Sequence, residues 1–427
     1  MDVLNNRAFD LKDYATKSDK IRALVASTIA FTVCFAVWTI FSIIGIRIKY
    51  EIGLNDTQFG LLVATPILTG SLSRLFLGIW ADQYGGRIVF TIIMLIASMF
   101  TWCLTLVNDY YQCIIIALGI GLSGGGFAVG VAYVSRWYSS EQQGTVLGIF
   151  GMGNFGAAIT NFGAPFLLYL GWQEVAKIYA FVLFFTAILF YLFTKTDPIL
   201  IYRKRYRLKI RGVVEQMAPL KNIQVWRFSL YYFFVFGAFV SLALWLPRYY
   251  IGVYGLDIKG AGILTAMYSL PGSLFRAMGG IISDKIGARR VMYLTCIFSC
   301  ICLFVMSYPA TNYIIQGVSG DIGFSLRVTL LPFVILTIIL GFFMSLGKAA
   351  VYKHIPVYYP NNVGAVGGIV GLIGGLGGFC CPIIFGVLND IVGIWTSCFM
   401  FLFLIVFIAL IWMHLSILSL NKDVLNK

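Results

Sequence analysis

The fold class the sequence predicts is an all-α membrane protein of twelve transmembrane helices in two pseudo-symmetric six-helix bundles, and three observations predict it. The 427 residues are 60% hydrophobic and 11% charged, with a mean hydropathy of +0.89. Soluble domains are about one quarter charged, and a water-soluble core this apolar would leave far too much apolar surface uncovered. Second, apolar runs of about 20 residues, the length a bilayer core demands, recur between polar breaks along the whole chain. Third, the chain repeats itself at close to half its length. A secreted domain, a soluble enzyme and a single-span receptor are thereby excluded.

The elements follow in order. Residues 1–22 carry Arg7, Lys12, Lys17, Lys20 and Arg22 and read as a cytoplasmic tail before a full-length, retained first span rather than a cleaved signal peptide. Spans at 23–46, 57–81, 87–107, 110–136, 143–169 and 175–194 form an N-terminal bundle over 23–194. A basic linker fills 195–225, with nine Lys and Arg between Lys195 and Arg227 against Asp197 and Glu215 alone. Spans at 226–250, 258–283, 289–308, 327–352, 363–389 and 393–419 form the C-terminal bundle over 226–419, and 420–427 is a second cytoplasmic tail.

Charge sets the orientation. With the N-terminus inside, cytoplasmic segments hold 22 of the 31 Lys and Arg, outside segments hold 6, and Arg74, Arg276 and Lys348 fall within spans. This positive-inside bias puts both termini in the cytoplasm. The net charge of +14 belongs to loops facing anionic headgroups, and no soluble domain surrounds it, so nucleic acid is not an expected partner; membrane lipid is. The nine cysteines lie mostly in apolar runs, where a thiol acts as a small hydrophobe. No metal, cofactor or disulfide framework is expected, and no His/Asp/Glu cluster supports an enzyme.

The repeat is specific. Gly70-Ser-Leu-Ser-Arg74-Leu-Phe-Leu-Gly78-Ile-Trp-Ala-Asp82 matches Gly272-Ser-Leu-Phe-Arg276-Ala-Met-Gly-Gly280-Ile-Ile-Ser-Asp284 at seven of thirteen positions, offset by 202. Gly144, Gly148 and Gly151 echo Gly364, Gly368 and Gly371 at an offset of 220, the difference being taken up by a longer connection near 309–326. Six spans per half preserve orientation, giving parallel repeats as in two-bundle transporters.

Arg74 and Arg276 occupy the middle of spans 2 and 8. A central Arg costs about 2.5–3.5 kcal/mol on insertion scales, so each must face the interior and find a partner. No Asp or Glu lies in the central part of any span. Two repeat-related, always-charged guanidiniums without a protein counter-ion make the substrate the expected counter-ion; pairing to backbone carbonyls or snorkelling is the alternative. The planar fork favours an acceptor with several oxygens. Phe35, Phe127, Tyr232 and Phe236 fall mid-span, where aromatic faces would suit a thin, flat anion, and Tyr232 and Asn154 supply neutral donors. The Gly148/Gly151 and Gly368/Gly371 faces permit close backbone approach and could slide as the halves rock. The turns that join Asp82 to Arg87 and Asp284 to Arg289 are expected to act as a conformational latch on the cytoplasmic side.

The Asp–Gly–Arg turns resemble the loop signature of the major facilitator superfamily, which implies twelve helices in two bundles. Gly119-Ile-Gly-Leu-Ser-Gly-Gly-Gly-Phe-Ala-Val-Gly130, followed by Gly148-Ile-Phe-Gly-Met-Gly-Asn154-Phe-Gly156, resembles the first signature of its NarK-like nitrate/nitrite porters, and the glycine run from Val366 to Phe379 resembles the second. The resemblance implies that Arg74 and Arg276 hold the substrate, with Phe35, Phe127, Asn154, Tyr232 and Phe236 matching pocket positions by motif neighbourhood. Gly347-Lys348-Ala-Ala-Val-Tyr352 resembles the branch associated with proton-coupled nitrate uptake, which would make Lys348 the proton carrier; plain snorkelling is the competing reading of this lysine. The expectation is a monomeric secondary transporter moving nitrate, possible nitrite and protons. Nitrate/nitrite exchange, facilitated movement of another small oxyanion or carboxylate, and a membrane sensor stand behind it.

Overall fold

Helix α1 (Lys17–Trp38) starts at a capping box: the Thr16 hydroxyl accepts from the Asp19 N–H while the Asp19 carboxylate reaches back to Thr16. The protein is described here by a computed structural model that covers residues 16–138, 143–206, 221–358 and 363–425. The chain continues through a 3-10 turn into α2 (Ile44–Ile52), so the first span runs past its expected end at 46, and Arg47 and Lys49 are helical. Next come α3 (Asp56–Tyr84), α4 (Gly86–Cys103), α5 (Tyr110–Ile120), α6 (Gly126–Ser135), α7 (Gln143–Gly151), α8 (Gly156–Leu167) and α9 (Trp172–Phe193). A short helix, α10 (Pro198–Tyr206), opens the linker, whose residues 207–220 lie outside the described ones.

The second half comprises α11 (Ile223–Tyr232), α12 (Phe239–Tyr254), α13 (Ile258–Leu274), α14 (Arg276–Ile286), α15 (Ala288–Met306), α16 (Leu330–Tyr358), α17 (Val363–Val392) and α18 (Ser397–Leu425). Nine helical stretches among the described residues are long and apolar enough to cross a membrane. The other three expected spans, at 57–81, 143–169 and 258–283, are helical as well and carry Arg74, Asn154 and Arg276.

The longer connection expected near 309–326 is present in the helical fold as a β-hairpin: β1 (Thr311–Gly317) pairs antiparallel with β2 (Gly320–Leu326).

The repeat is visible in the backbone. Gly85 and Gly287, 202 positions apart, end α3 and α14 at φ 96, ψ 136 and φ 89, ψ 138. A side chain rarely adopts that conformation, which is why both halves place Gly in this turn. Gly70 and Gly272 each stand four residues before the buried arginine. A β-carbon at Gly70 would lie 2.6 Å from the Trp38 indole nitrogen, and one at Gly272 would lie 2.0 Å from the Phe239 ring. Each arginine-bearing helix is thus approached at the same point by an aromatic from the first span of its own half.

Four backbone irregularities fall inside spans rather than at their ends. The 3-10 segments Gly121–Gly125 and Met152–Phe155, the π-helical segment Phe233–Ala238 and the break at Phe275 interrupt spans 4, 5, 7 and 8. Such interruptions free backbone groups and re-aim side chains. Here they flank Phe127, Asn154, Tyr232, Phe236 and Arg276.

Candidate functional site

Arg74 and Arg276 both point into the interior, at 8% and 7% exposure. They converge on one ring: the guanidinium carbons lie 5.5 and 5.8 Å from the centroid of Phe127. Arg74 also stands 5.5 Å from Phe236 and 5.6 Å from Trp38, and Arg276 stands 5.8 Å from Tyr352. Desolvated cations over aromatic faces gain electrostatic stabilisation of about 2 kcal/mol, which offsets only part of the cost of burial. Neither arginine has a carboxylate within 4 Å among the described residues.

The two guanidiniums are satisfied unequally. Arg74 donates from Nη1 to the Gly371 carbonyl at 3.1 Å and from Nε to the Gly124 carbonyl at 3.4 Å. The Gly371 bond crosses from one half to the other. Carbonyl pairing therefore accounts for part of Arg74. Among the described residues, Arg276 Nη1 is buried without a partner, and so are both polar atoms of the Asn154 side chain. Leaving a buried donor unmade costs about 1–3 kcal/mol, more for a charged group. One orphaned guanidinium donor and one orphaned amide are thus left in the interior, with aromatic rings over both arginines.

The other expected residues divide. Tyr232 and Phe236 are stacked, with centroids 5.1 Å apart and planes 7° off parallel, and Tyr232 meets Tyr352 edge-on at 4.9 Å. Phe35 packs one layer back, against Trp38 at 5.2 Å and Phe31 at 5.7 Å, rather than over either guanidinium. It supports the wall instead of lining it. Trp38 and Tyr352 take the places at the arginines, and the sequence reading assigned neither to the site. Trp38 is held by its own hydrogen bond, Nε1 donating to the Pro66 carbonyl at 2.8 Å. Tyr352 is held by donating to the Gly367 carbonyl at 3.1 Å.

Lys348 does not snorkel. Its side chain is fully buried, with Nζ donating to the Gly272 carbonyl at 2.9 Å and lying 3.0 Å from the Phe239 ring centroid. It therefore contacts the arginine-bearing span one turn ahead of Arg276.

The glycine faces also divide. A β-carbon at Gly151 would stand 3.3 Å from the Arg276 guanidinium, and one at Gly371 would stand 2.9 Å from the Tyr352 hydroxyl. Positions 148 and 368 meet nothing within 4 Å among the described residues, nor do Gly78 and Gly280. Toward the opposite face the halves are in backbone contact: β-carbons would fall 2.4 Å from the Pro382 carbonyl at Gly60, 2.2 Å from the Asn161 carbonyl at Gly262 and 2.3 Å from the Asp56 carbonyl at Gly386. The glycines that let the halves approach are thus Gly60, Gly262 and Gly386, which the sequence motif did not include, together with Gly375 and Gly378 of the glycine run, where β-carbons would fall 2.1 Å from the Ser71 hydroxyl and 2.9 Å from the Ile67 side chain. The halves are joined at the Asp56 face, whereas the four glycines toward the Gly85 and Gly287 turns meet nothing within 4 Å among the described residues.

At those turns, Arg87 donates from Nε and Nη2 to the Tyr191 carbonyl at 3.1 and 2.7 Å, and Arg289 donates to the Tyr358 hydroxyl at 2.6 Å. Asp284 forms an ion pair with Lys353. These contacts stay within one half. The Asp82 side chain lies outside the described residues.

The family model described as Major Facilitator Superfamily matches residues 26–326 and 261–423. The chain is 40% identical over 424 residues to a protein named "Probable nitrate/nitrite antiporter NarK1" from Thermus thermophilus, covering 95% of this chain and 94% of that one. It is 29% identical to a "Nitrite extrusion protein" from Bacillus subtilis, covering 89% and 91%. Among solved structures it is similar to a bacterial homolog of the human lysosomal transporter Spinster in an inward-facing and occupied conformation. That match has a TM-score of 0.71 at 17% identity and covers 96% of this chain and 99% of the other, a likeness of fold alone.

Proposed function

Because the chain belongs to the nitrate/nitrite porters of the major facilitator superfamily, we propose that it carries nitrate, and nitrite with it, by binding the anion between Arg74 and Arg276. It is a multi-pass protein of the bacterial cytoplasmic membrane, and a transporter rather than an enzyme. The observation that carries the binding site is the pair itself: two buried guanidiniums from corresponding helices of the two halves, facing one aromatic ring, one with a donor unmade. Nitrate is planar, carries a single charge over three oxygens and presents two of them to a guanidinium fork. Phe127 supplies a flat wall, and Asn154 offers a neutral donor beside it.

In this reading twelve spans cross the membrane with both termini cytoplasmic, and one chain holds a complete site, so the monomer is the working unit. The face of the Gly85 and Gly287 turns is then the cytoplasmic one, and the state described is inward-facing: closed at Asp56, parted at Gly78, Gly148, Gly280 and Gly368. Rocking about the arginine level exposes the anion to one side and then the other.

Lys348 is the candidate for proton coupling. A lysine can exchange its proton, whereas an arginine does not deprotonate in proteins. With no carboxylate within 4 Å of either arginine among the described residues, Lys348 is the group positioned to gain a proton with incoming nitrate and lose it inside. Exchange against nitrite is the second reading, favoured by the printed name of the Thermus relative. Uptake of nitrate into proteoliposomes of the purified protein tests the function. An imposed pH gradient without internal nitrite separates the two: accumulation supports symport, and uptake only when nitrite is loaded inside supports exchange.

A further inference from the structure

The hairpin formed by β1 and β2 has two unlike faces. The pairing register puts Thr311 opposite Leu326, Tyr313 opposite Phe324 and Ile315 opposite Ile322. Directly paired residues share a face of the sheet, and the Tyr313 and Phe324 rings are stacked at 5.2 Å. The other face pairs Asn312 with Ser325, whose side chains are hydrogen-bonded at 2.6 Å, and Gln316 with Asp321; Ile314, opposite Gly323, is its one large apolar residue. One face is therefore apolar and free of charge, while the polar groups and Asp321 occupy the other. Ile315, Ile322, Phe324 and Leu326 are each about half exposed, and Val318 at the tip is fully so. An isolated two-stranded hairpin is marginally stable in water at best, so an uncovered apolar face calls for a cover.

Position on the chain says what the cover is. The hairpin is tethered at both ends to membrane spans, by residues 307–310 after Met306 and by residues 327–329 before Leu330. Tethers of three to four residues reach at most about 10–14 Å, so the hairpin cannot leave the membrane surface. The spans beneath it turn Phe304, at 65% exposure, and Leu331, at 70%, outward to lipid. Strands, however, cannot sink into hydrocarbon, because both edges of a two-stranded sheet carry unpaired N–H and C=O groups. A tyrosine–phenylalanine pair on an apolar face with polar edges matches the headgroup region, where aromatic residues collect.

We propose that this hairpin lies flat in the lipid headgroup region at the face opposite the Gly85 and Gly287 turns, with Tyr313, Ile315, Ile322 and Phe324 toward the acyl chains. It lies in the stretch where the repeat offset grows from 202 to 220, and in the first half the corresponding connection is only the short stretch between Leu106 and Tyr110. The C-terminal half thereby has a lipid anchor that the N-terminal half lacks, which holds the end of the α15–α16 pair at the surface while the halves move.

The test is nitroxide accessibility in the full-length protein reconstituted in lipid vesicles, with the signal from labelled parent protein subtracted for the native cysteines. Labels go at Ile322→Cys on the apolar face and Gly323→Cys on the polar face, where a β-carbon meets nothing within 4 Å. Nitrate binding by each labelled protein checks that it is folded, and Ile315→Cys reports the same face if Ile322→Cys does not fold. The expected result is a several-fold lower accessibility to a water-soluble nickel relaxant at 322 than at 323, with higher accessibility to oxygen, unchanged when vesicles are diluted to one protein each. Equal accessibility at both sites overturns the proposal. So does protection at 322 that disappears on dilution, which would make a second copy of the chain the cover.

Discussion

Arg248, in the second half of α12, donates from Nε to Asp56 at 3.2 Å and so joins the C-terminal half of the chain to the N-terminal half. Asp56 is also paired with Lys49 at 2.7 Å and hydrogen-bonded by Asn389. Asp390 adds a second bridge by accepting from the free backbone N–H groups of Asp56 and Thr57 at 3.2 and 2.7 Å, at the N-terminus of α3. Four elements meet at one carboxylate, and the closed face depends on its charge.

Asp56→Asn leaves Lys49 and Arg248 without their partner. A hydrogen bond to a charged group contributes about 1.5–3 kcal/mol, so the closed-to-open ratio should fall roughly 10- to 100-fold. Spin labels at Tyr50 and Ile391, both exposed near this face, should report a new long-distance component. An unchanged distance distribution would show that the glycine contacts alone hold the face shut.

The same carboxylate sets a pH dependence. Burial alone would raise it, but the hydrogen bond from Lys49 and the charges of Arg248 and Lys49 outweigh burial and hold the Asp56 carboxyl below its usual range. A depressed carboxyl contributes stability that is complete above the ordinary value of about 3.9 and lost as pH falls through the lowered one. The label distances should therefore be constant from neutral pH down to about pH 5 and lengthen only in stronger acid. A transition near neutrality would point to another titrating group.

The glycine positions separate binding from movement. Gly151→Ala sets a β-carbon 3.3 Å from the Arg276 guanidinium, and nitrate affinity should drop several-fold. At Gly148 and Gly368 the β-carbon meets nothing in the parted state, so Ala there should leave affinity alone and slow turnover, since the two faces must close on each other for the site to open outward. Equal effects of Gly148→Ala and Gly151→Ala on affinity would contradict this division.

At the opposite face, the ion pair of Asp284 with Lys353 ties α14 to α16. Asp284→Asn, and Asp82→Asn at the repeat-related position, should lower the transport rate more than nitrate affinity. Lost affinity with intact turnover would rule out a conformational role.

Lys348→Met keeps a long apolar side chain and removes the titrating group. Nitrate accumulation driven by a pH gradient should be abolished, while nitrate binding stays within a few-fold. Accumulation that persists in this variant would put the coupling elsewhere.

The membrane spans and the arginine pair were legible in the sequence for physical reasons. A bilayer core requires about 20 apolar residues per helix, and a charge inside one stands out against that background. The repeat then matched Arg74 to Arg276. What the sequence did not disclose is azimuth: a helix apolar on every side has no pattern to say which residue faces the centre. Phe35 was therefore expected at the site, where Trp38 stands, and Tyr352, named within the Lys348 motif, was given no place beside the arginines. The Asp56 network joins residues 192 to 334 positions apart, beyond any local motif. The hairpin did leave a signal, the alternation of Tyr313 and Ile315 with Ile322 and Phe324 about Gly320, which its setting between two spans obscured.

Nitrate affinity in Arg74→Lys and Arg276→Lys, measured by direct binding to the purified protein, tests the central claim most directly. Lysine keeps the charge and loses the two-pronged donor. At about 1.5–3 kcal/mol for each hydrogen bond to a charged group, either substitution should weaken binding roughly 10- to 100-fold. The larger loss is expected at Arg276, whose Nη1 has no protein partner, because Arg74 already spends part of its fork on Gly371 and Gly124. Near-parental nitrate affinity in both variants would contradict the account, for it would mean that the two guanidiniums do not hold the anion.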